Sequence, residues 1–216
     1  MADPNAQDAV ARRAASPFDT RELIDLGAAW AALTVAFALV FAPALRPPAV
    51  FVDPPLGTAI EVGATSAVVV GAGVIGHELA HKAVARHYGQ IAAFRANYIW
   101  LGLSILAGAA GLIVAAPGAV HHRGRITARQ RGLIALAGPA SNVGFAGAFV
   151  ALLAVPGLER LASIGLLVNV LLAGFNMLPA GPLDGRSVLD WHRGVYAASA
   201  VLTIGPAAAF VVPVLG

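Results

Sequence analysis

The chain has 216 residues, of which 58% are hydrophobic and only 12% are charged. Soluble domains carry about 25% charged residues, and a soluble chain of this size could not bury so much apolar surface, so the composition predicts a membrane protein. The net charge of +3 does not indicate nucleic-acid binding, because the basic residues cluster between apolar segments. With no cysteine, the chain has no disulfides, thiol nucleophile or cysteine-based zinc site.

The chain begins with a polar segment. Residues 1–22 are predicted to form an N-terminal tail, with a helix starting near Asp19 or Thr20. We do not expect a secretory signal, which would place a short basic stretch directly before its apolar core. Residues 23–216 are predicted to form a single transmembrane domain, because the connectors between their apolar stretches are short.

Six apolar stretches follow the tail. They are 26–45, 62–85, 96–120, 132–158, 161–183 and 194–216. A membrane-spanning helix needs about 20 mostly apolar residues, so each stretch is long enough to cross. The predicted fold is therefore an all-α polytopic membrane protein with about five to six transmembrane helices, and with a re-entrant or short β segment after the second of them.

The second apolar stretch contains ionisable residues in the pattern His77-Glu78-Leu79-Ala80-His81. Ionisable groups inside a membrane segment are energetically unfavourable and usually functional. On a helix, His77 and His81 lie on one face about 6 Å apart, where two imidazoles can bind one Zn²⁺. Glu78 lies beside them and can act as general base towards a zinc-activated water. The pattern predicts a catalytic zinc site.

A catalytic zinc usually has three protein ligands, and His87 is one candidate for the third. It follows His81 by six residues, but that arrangement needs a glycine turn, and Val84 occupies the turn position. Glu61 is too far away, because it precedes His77 by about 24 Å of helix. The acids at 159 and 190 flank polar loops and are expected to be solvated.

Asp184 is the favoured third ligand. It follows the fifth apolar stretch, where Pro179 and Pro182 interrupt helical hydrogen bonding. Irregular backbone at membrane depth is tolerated only where it is buried or lines a wet cavity, so the prolines place a carboxylate in such a pocket. The alternative is an ordinary loop aspartate after a helix end.

Three motifs resemble those of the site-2 protease family of intramembrane metalloproteases. They are His77–His81, Gly138-Pro139-Ala140-Ser141-Asn142, and Asn176–Gly185, which has the form N-x-x-P-x-x-P-L-D-G. The motifs occur in the family's order and cover roughly residues 60–185. The resemblance implies that His77, His81 and Asp184 are zinc ligands and that Glu78 is the catalytic base. Family members often carry PDZ or CBS domains, for which this chain has no room, so it is similar to the compact members.

Three asparagines in apolar stretches are candidate substrate-binding residues, namely Asn142, Asn169 and Asn176. Asn169 and Asn176 are two helical turns apart and share the face that leads to Asp184. They could donate to a substrate carbonyl or to the developing oxyanion. The alternative is hydrogen bonding between membrane helices.

The segment Phe94–Trp100, which follows the histidine pattern, is β-prone. It could offer a strand edge to an extended substrate, since a helical substrate must unwind before its carbonyls can react. An interfacial aromatic anchor is an equally good interpretation.

The predicted function is hydrolysis of peptide bonds in or near transmembrane segments of membrane proteins. The predicted cofactor is Zn²⁺, and the predicted partners are a transmembrane protein substrate and the lipid bilayer. A metal or proton transporter also needs buried histidines and carboxylates, but it should distribute them over several helices, often with pseudo-repeats. An inactive scaffold is disfavoured by the intact Glu78, and a serine protease by the absence of a G-x-S-x-G pattern.

The arginines of the N-terminal tail predict a cytosolic N-terminus in the cell membrane. If residues 96–120 crossed the membrane, the basic loop 121–131 would lie outside and Asp184 would emerge opposite the histidines. We therefore predict five spanning helices and a re-entrant segment at 96–120, with its bend at Gly108–Gly111 or Tyr98–Gly102. The active site would then lie nearer the cytosolic side.

Overall fold

The computed structural model describes residues 17–52 and 56–215, which fold into helices and one two-stranded sheet. In chain order the elements are α1 (Thr20–Phe41), a 3₁₀ turn (Pro43–Leu45), α2 (Ala49–Val52), α3 (Leu56–Val70), a π-helical turn (Gly71–Ile75), α4 (Gly76–His87), β1 (Ile91–Ala96), α5 (Tyr98–Ala109), β2 (Gly118–Arg123), α6 (Ala128–Leu152), α7 (Glu159–Asn176), α8 (Asp184–Trp191) and α9 (Arg193–Leu215).

By length and composition, four helices in the described range can cross a membrane. They are Thr20–Phe41, Leu56–His87, Ala128–Leu152 and Glu159–Asn176. The prediction of an all-α polytopic membrane protein with a short β segment is confirmed. The last helix, α9, has 23 residues and is of similar length.

Helix α1 begins where the sequence predicts. The Asp19 side chain accepts a 2.7 Å hydrogen bond from the backbone N–H of Glu22, which is the usual way of satisfying a free N–H at a helix start. The helix ends at Phe41, just before Pro43. Residues 1–16 of the predicted tail lie outside the described residues.

The histidine pattern lies on a helix that runs without a break from Leu56 to His87. One turn before the histidines the helix widens, because the backbone N–H of Gly76 bonds to the carbonyl of Gly71, five residues earlier. Such π-helical turns are rare and frequently occur at functional sites. A side chain at Gly76 would overlap the ring of Phe145 on α6, so glycine here permits close helix packing.

Residues 96–118 leave the small sheet and return to it. Strands β1 and β2 are antiparallel, and Ala96 pairs with Gly118, so the two ends of this segment lie side by side. Helix α5 between them has 12 residues and is about 18 Å long, too short to cross a bilayer of about 30 Å. The chain turns back at Gly111, whose φ is +82°. The segment therefore leaves and returns at one place with its bend at Gly108–Gly111, as expected of the predicted re-entrant segment, and Tyr98–Gly102 lies within α5.

A core of apolar side chains joins α1, the π-helical turn, the sheet, α6 and α7. Its most buried members include Leu33, Phe37, Val70, Phe94 and Val168. Helix α5 packs on α1 so closely that a side chain at Gly108 would overlap the backbone of Ala36. This packing holds residues 96–118 against the bundle beside the histidine-bearing helix.

Candidate metal centre

Three side chains converge where α4, α6 and α8 meet. The Nε2 atoms of His77 and His81 lie 2.9 Å apart. The Oδ2 atom of Asp184 lies 3.3 Å from each of them. Among the described residues, these three form a group able to hold a metal ion.

The outer nitrogens of both imidazoles are held by oxygen acceptors. His81 Nδ1 lies 2.7 Å from the carbonyl oxygen of Ile134, which can only accept, so this nitrogen carries the proton. His77 Nδ1 lies 2.7 Å from Oδ1 of Asn142. The Asn142 amide is oriented by its Nδ2 group, which donates to the carbonyl of Gly73 at 2.8 Å, so its Oδ1 is the acceptor.

These hydrogen bonds leave both Nε2 lone pairs directed at Asp184. Two lone pairs and a carboxylate at about 3 Å repel one another unless a cation lies among them. Ligand atoms about 2.0–2.2 Å from a tetrahedral zinc are separated by about 3.3–3.6 Å. The two 3.3 Å distances to Asp184 match this spacing, and the 2.9 Å between the histidine nitrogens is somewhat shorter. The donor set therefore fits Zn²⁺.

Gly138 on α6 makes room for the two imidazoles. A side chain at this position would overlap Nε2 of His81 and the ring of His77. Residue 138 is followed by Pro139, which α6 accommodates within its length. One turn earlier, the carbonyl of Ile134 holds His81, so a single stretch of α6 both orients the imidazoles and gives them space.

Asp184 is positioned by the turn that follows α7. Helix α7 ends at Asn176 and α8 begins at Asp184, so the backbone between them is irregular, as the prolines predict. Gly181 adopts a φ of +53° within this turn. A side chain at Gly185 would overlap the backbone of Met177, so this glycine lets α8 pack against the end of α7.

The charge state of Asp184 suits a metal ligand. Burial works to raise the pKa of this carboxyl, but in the metal-free site the two histidines, when also protonated on Nε2, donate to it, outweigh burial and hold the pKa below its ordinary value. The group is therefore a carboxylate at neutral pH.

The three groups lie in the wall of a cavity of about 960 Å³, and Glu78 lies in the same wall. The Glu78 carboxylate faces the backbone N–H of Val120 on β2. The cavity is mostly apolar, and its lining includes Phe37, Ile113, Leu171, Leu172, Phe175 and Ile204. A carboxylate beside the donor set, in a mostly apolar cavity, is suited to proton transfer.

The rejected candidates for a third ligand lie elsewhere. His87 is exposed and its ring contacts Tyr88. Glu61 pairs with Arg160 at 2.8 Å. The acids at 159 and 190 bond to the backbone of residue 157 and to the side chain of residue 186, respectively.

The three asparagines have different environments. Asn142 and Asn169 are completely buried and bond to each other at 3.0 Å. Asn169 also donates to the carbonyl of Gly165. Neither lines the cavity, whereas Asn176 does, although its amide donates to the carbonyl of Leu172. In this structure direct contact with a ligand is therefore open to Asn176 alone of the three.

The strand edge predicted at Phe94–Trp100 has partners within the chain. Residues up to Ala96 belong to β1, but one edge of this strand pairs with β2 and the backbone N–H of Phe94 on the other edge donates to Glu22 at 2.9 Å. The rest of the segment is helical and highly exposed, with 77% exposure at Ile99. Its geometry fits the alternative of an interfacial anchor.

Sequence reasoning missed the π-helical turn, the role of Gly138 in accommodating the imidazoles and the buried pair of Lys82 and Glu22. The cluster of glycines at 71, 73 and 76 was the available signal for the first, because glycine in a helix often marks a close approach. The other two depend on which helices pack together, and no local pattern reports that.

Two named proteins are similar to this chain. "Putative zinc metalloprotease MJ0611" of Methanocaldococcus jannaschii is 43% identical over 146 residues, which cover 65% of this chain and 76% of that protein. "Putative zinc metalloprotease Rip3" of Mycobacterium tuberculosis is 31% identical over 142 residues, which cover 61% of this chain and 32% of Rip3. No protein-family model matches the chain, and neither does any solved structure.

Proposed function

The chain belongs to the family of zinc metalloproteases represented by these relatives, and from this premise we propose that it is an intramembrane protease of the site-2 type. Zn²⁺ is its expected cofactor. The observation that carries the proposal is the convergence of His77, His81 and Asp184 in a cavity walled by apolar helices long enough to cross a membrane. The substrate is a peptide bond in or near a transmembrane segment of another membrane protein.

In this proposal His77, His81 and Asp184 hold the zinc. Bound zinc supplies Lewis-acid chemistry, which acidifies water and polarises a carbonyl. Glu78 accepts the proton of the attacking water and delivers it to the nitrogen of the leaving amine, so the C–N bond breaks without a free amide anion. Glu78 is not a ligand, and its place in the cavity wall leaves it free to meet the substrate.

Asn142 acts on His77 and not on the substrate. Its oxygen holds Nδ1 of His77, and its nitrogen is held by the π-helical turn through Gly73. Hydrogen-bonding partners of this kind fix the tautomer and the ring orientation of a metal-ligating histidine. Asn169 supports Asn142 from α7.

The edge of β2 is the better place for an unwound substrate. Its residues Gly118 to Val120 line the cavity together with the histidines, and Val120 on that edge faces Glu78, whereas β1 pairs with β2 on one edge and donates to Glu22 from the other. An extended substrate segment added along β2 would lie beside Val120. Because Glu78 faces the backbone of Val120, a substrate carbonyl would then come close to Glu78. This replaces the edge predicted at residues 94–100.

We also propose that the site faces the cytosolic side of the cell membrane. The re-entrant geometry of residues 96–118 keeps both ends of that segment on one side. The basic residues 121–131 then lie on the same side as Asp184, as the positive-inside rule favours. A transporter is less well supported, because the described residues offer one closed ligand group and no path of further groups.

The test is co-expression with a panel of candidate membrane substrates, comparing the wild type with Glu78→Ala. We expect the wild type to cleave at least one substrate and Glu78→Ala to cleave none, while both purified proteins retain about one zinc per chain. Asp184→Ala should lose the zinc, and Asp190→Ala on the exposed face of α8 is its matched control. Equal cleavage by the wild type and Glu78→Ala would contradict the protease assignment.

A further inference from the structure

Four arginines near the start of α6 have no carboxylate partner among the described residues. They are Arg123, Arg125, Arg129 and Arg131, and all four are exposed. The sequence has no aspartate or glutamate between Glu78 and Glu159, so no neighbour along the chain can neutralise them.

Carboxylates from elsewhere in the fold do not compensate for these charges either. Within the described ranges, each carboxylate outside the candidate metal centre already bonds to another group of the chain. Asp190, on the helix that packs against the start of α6, is engaged by Arg186 at 3.1 Å. Asp184 is the proposed third zinc ligand and Glu78 is the proposed general base, so neither carboxylate is assigned to these arginines.

The position of these arginines on α6 adds to the imbalance. The helix begins after Thr127, and its first turn contains no acidic residue. The N-terminal end of a helix carries partial positive charge, so cations such as Arg129 are unfavourable there and anions are favourable. Even the residue that completes the capping box, Gln130, is neutral where a glutamate would serve equally well.

Arg131 connects this basic cluster to the cavity. It lies in the cavity wall together with Ile134 and Ala135, three and four residues further along the same face of α6. The carbonyl of Ile134 is the one that holds His81. A substrate that reaches the candidate metal centre therefore passes close to a guanidinium that no described group neutralises.

We propose that this basic cluster, with Arg131 at its inner end, recognises acidic side chains in the segment that flanks a substrate's transmembrane helix. The inference rests on the proposed proteolytic function and names its substrate class as membrane proteins with an acidic juxtamembrane segment on the Asp184 side. Arginine suits this task, because its planar guanidinium can bind a carboxylate through two parallel hydrogen bonds.

Anionic lipid headgroups offer the same chemistry as an acidic peptide. The place of Arg131 in the cavity wall favours the peptide, because that wall also holds His77, Glu78 and His81. Binding of a lipid headgroup needs basic residues only on the outer surface, so it would not require an arginine in the cavity wall.

The experiment compares two model substrates that differ only in this flanking segment, which carries glutamates in one and glutamines in the other. Full-length protein is reconstituted in phosphatidylcholine vesicles without anionic lipid. Binding is measured by fluorescence anisotropy with the Glu78→Gln protein, and cleavage by kcat/KM with active protein. The variants are Arg131→Gln, the triple change Arg123→Gln/Arg125→Gln/Arg129→Gln, and Arg160→Gln as a control from the far end of α7.

We expect the glutamate substrate to bind more tightly than the glutamine substrate, and Arg131→Gln to lower this preference about fivefold. The preference should weaken as salt is raised from about 0.1 M to 1 M, because exposed charges are then screened over about 3 Å. Arg160→Gln should retain it.

Equal binding of both substrates by the Glu78→Gln protein would overturn the proposal, and so would a preference that appears only when anionic lipid is added. A different result would contradict the proposed proteolysis: active protein cleaves neither substrate, although the Glu78→Gln protein still binds the glutamate substrate more tightly.

Discussion

The ammonium group of Lys82 lies 2.6 Å from the carboxylate of Glu22, and both side chains are almost completely buried. The same carboxylate accepts the backbone N–H of Phe94, and the Lys82 ammonium also lies 3.7 Å from the ring centre of Phe18. Because Lys82 directly follows His81, this pair joins the start of α1 and strand β1 to the turn of α4 that carries the candidate ligand.

The first prediction is that Glu22→Gln destabilises the protein. Removing one partner of a buried ion pair leaves an uncompensated charge, which costs about 3–5 kcal/mol. Thermal unfolding of the purified protein in detergent should show a clear drop in the midpoint. The control is Glu61→Gln, which breaks an exposed pair with Arg160 and should change stability by about 0–1 kcal/mol. Equal effects of the two changes would contradict the structural role of the buried pair.

The second prediction concerns Asn142. Asn142→Ala removes the acceptor of His77 Nδ1, so the imidazole loses its fixed tautomer and orientation. Changes at such partners of a ligating histidine weaken metal binding about 10–100-fold. Zinc affinity should be measured by competition with a chelator of known affinity.

The neighbouring change Ser141→Ala is the matched control for Asn142. Among the described residues, the Ser141 side chain bonds to the carbonyl of Gly138 in its own helix and not to either histidine, so zinc affinity should stay close to that of the wild type. If Asn142→Ala also bound zinc normally, the hydrogen bond to His77 would have no role in holding the metal.

Local patterns were enough to predict the site residues that the structure brings together. Spacing along one helix placed His77 and His81 on a common face, and the prolines near Asp184 predicted irregular backbone. The positions of basic residues along the chain predicted that both ends of residues 96–120 lie on one side, and Ala96 does pair with Gly118. Each of these inferences depends on composition or on neighbours in sequence, which the sequence reports directly.

Contacts between distant segments could not be predicted in the same way. Asn142 was equally compatible with substrate binding and with helix contact, because the difference depends on whether α6 presents it to the cavity or to His77. On the edge of β1, the Phe94 N–H bonds to Glu22, a residue 72 positions earlier in the chain. Such relationships arise only when the helices are packed.

The third prediction is that Gly138→Ala abolishes zinc binding. The added methyl group would overlap the imidazoles of His77 and His81, and neither ring can move without losing its Nδ1 hydrogen bond. Gly144→Ala, in the same helix, is the control, because a side chain there meets nothing within 4 Å. Alanine is favoured over glycine in a helix by about 0.5–1 kcal/mol, so the control should be as stable as the wild type or slightly more stable. Zinc content of the purified proteins checks both, and normal zinc in Gly138→Ala would refute the packing argument.

The fourth prediction tests the membrane topology by cysteine labelling of a protein that has no cysteine of its own. Gly124 and Gly157 are unsuitable positions, because their φ angles of +139° and +85° would strain any other residue. Exposed neighbours with ordinary backbone serve instead, namely Ala128, Pro156 and Arg193. Single cysteines at these positions are treated with an impermeant thiol reagent on intact cells and, as a control, on permeabilised cells.

If residues 96–118 re-enter on the cytosolic side, the start of α6 stays inside, the connection between α6 and α7 lies outside, and the start of α9 is inside again. Only the cysteine at 156 should then react on intact cells, and all three should react after permeabilisation. Reaction at 128 on intact cells would mean that the segment crosses the membrane. The basic cluster would then lie outside, opposite to the side that the positive-inside rule favours.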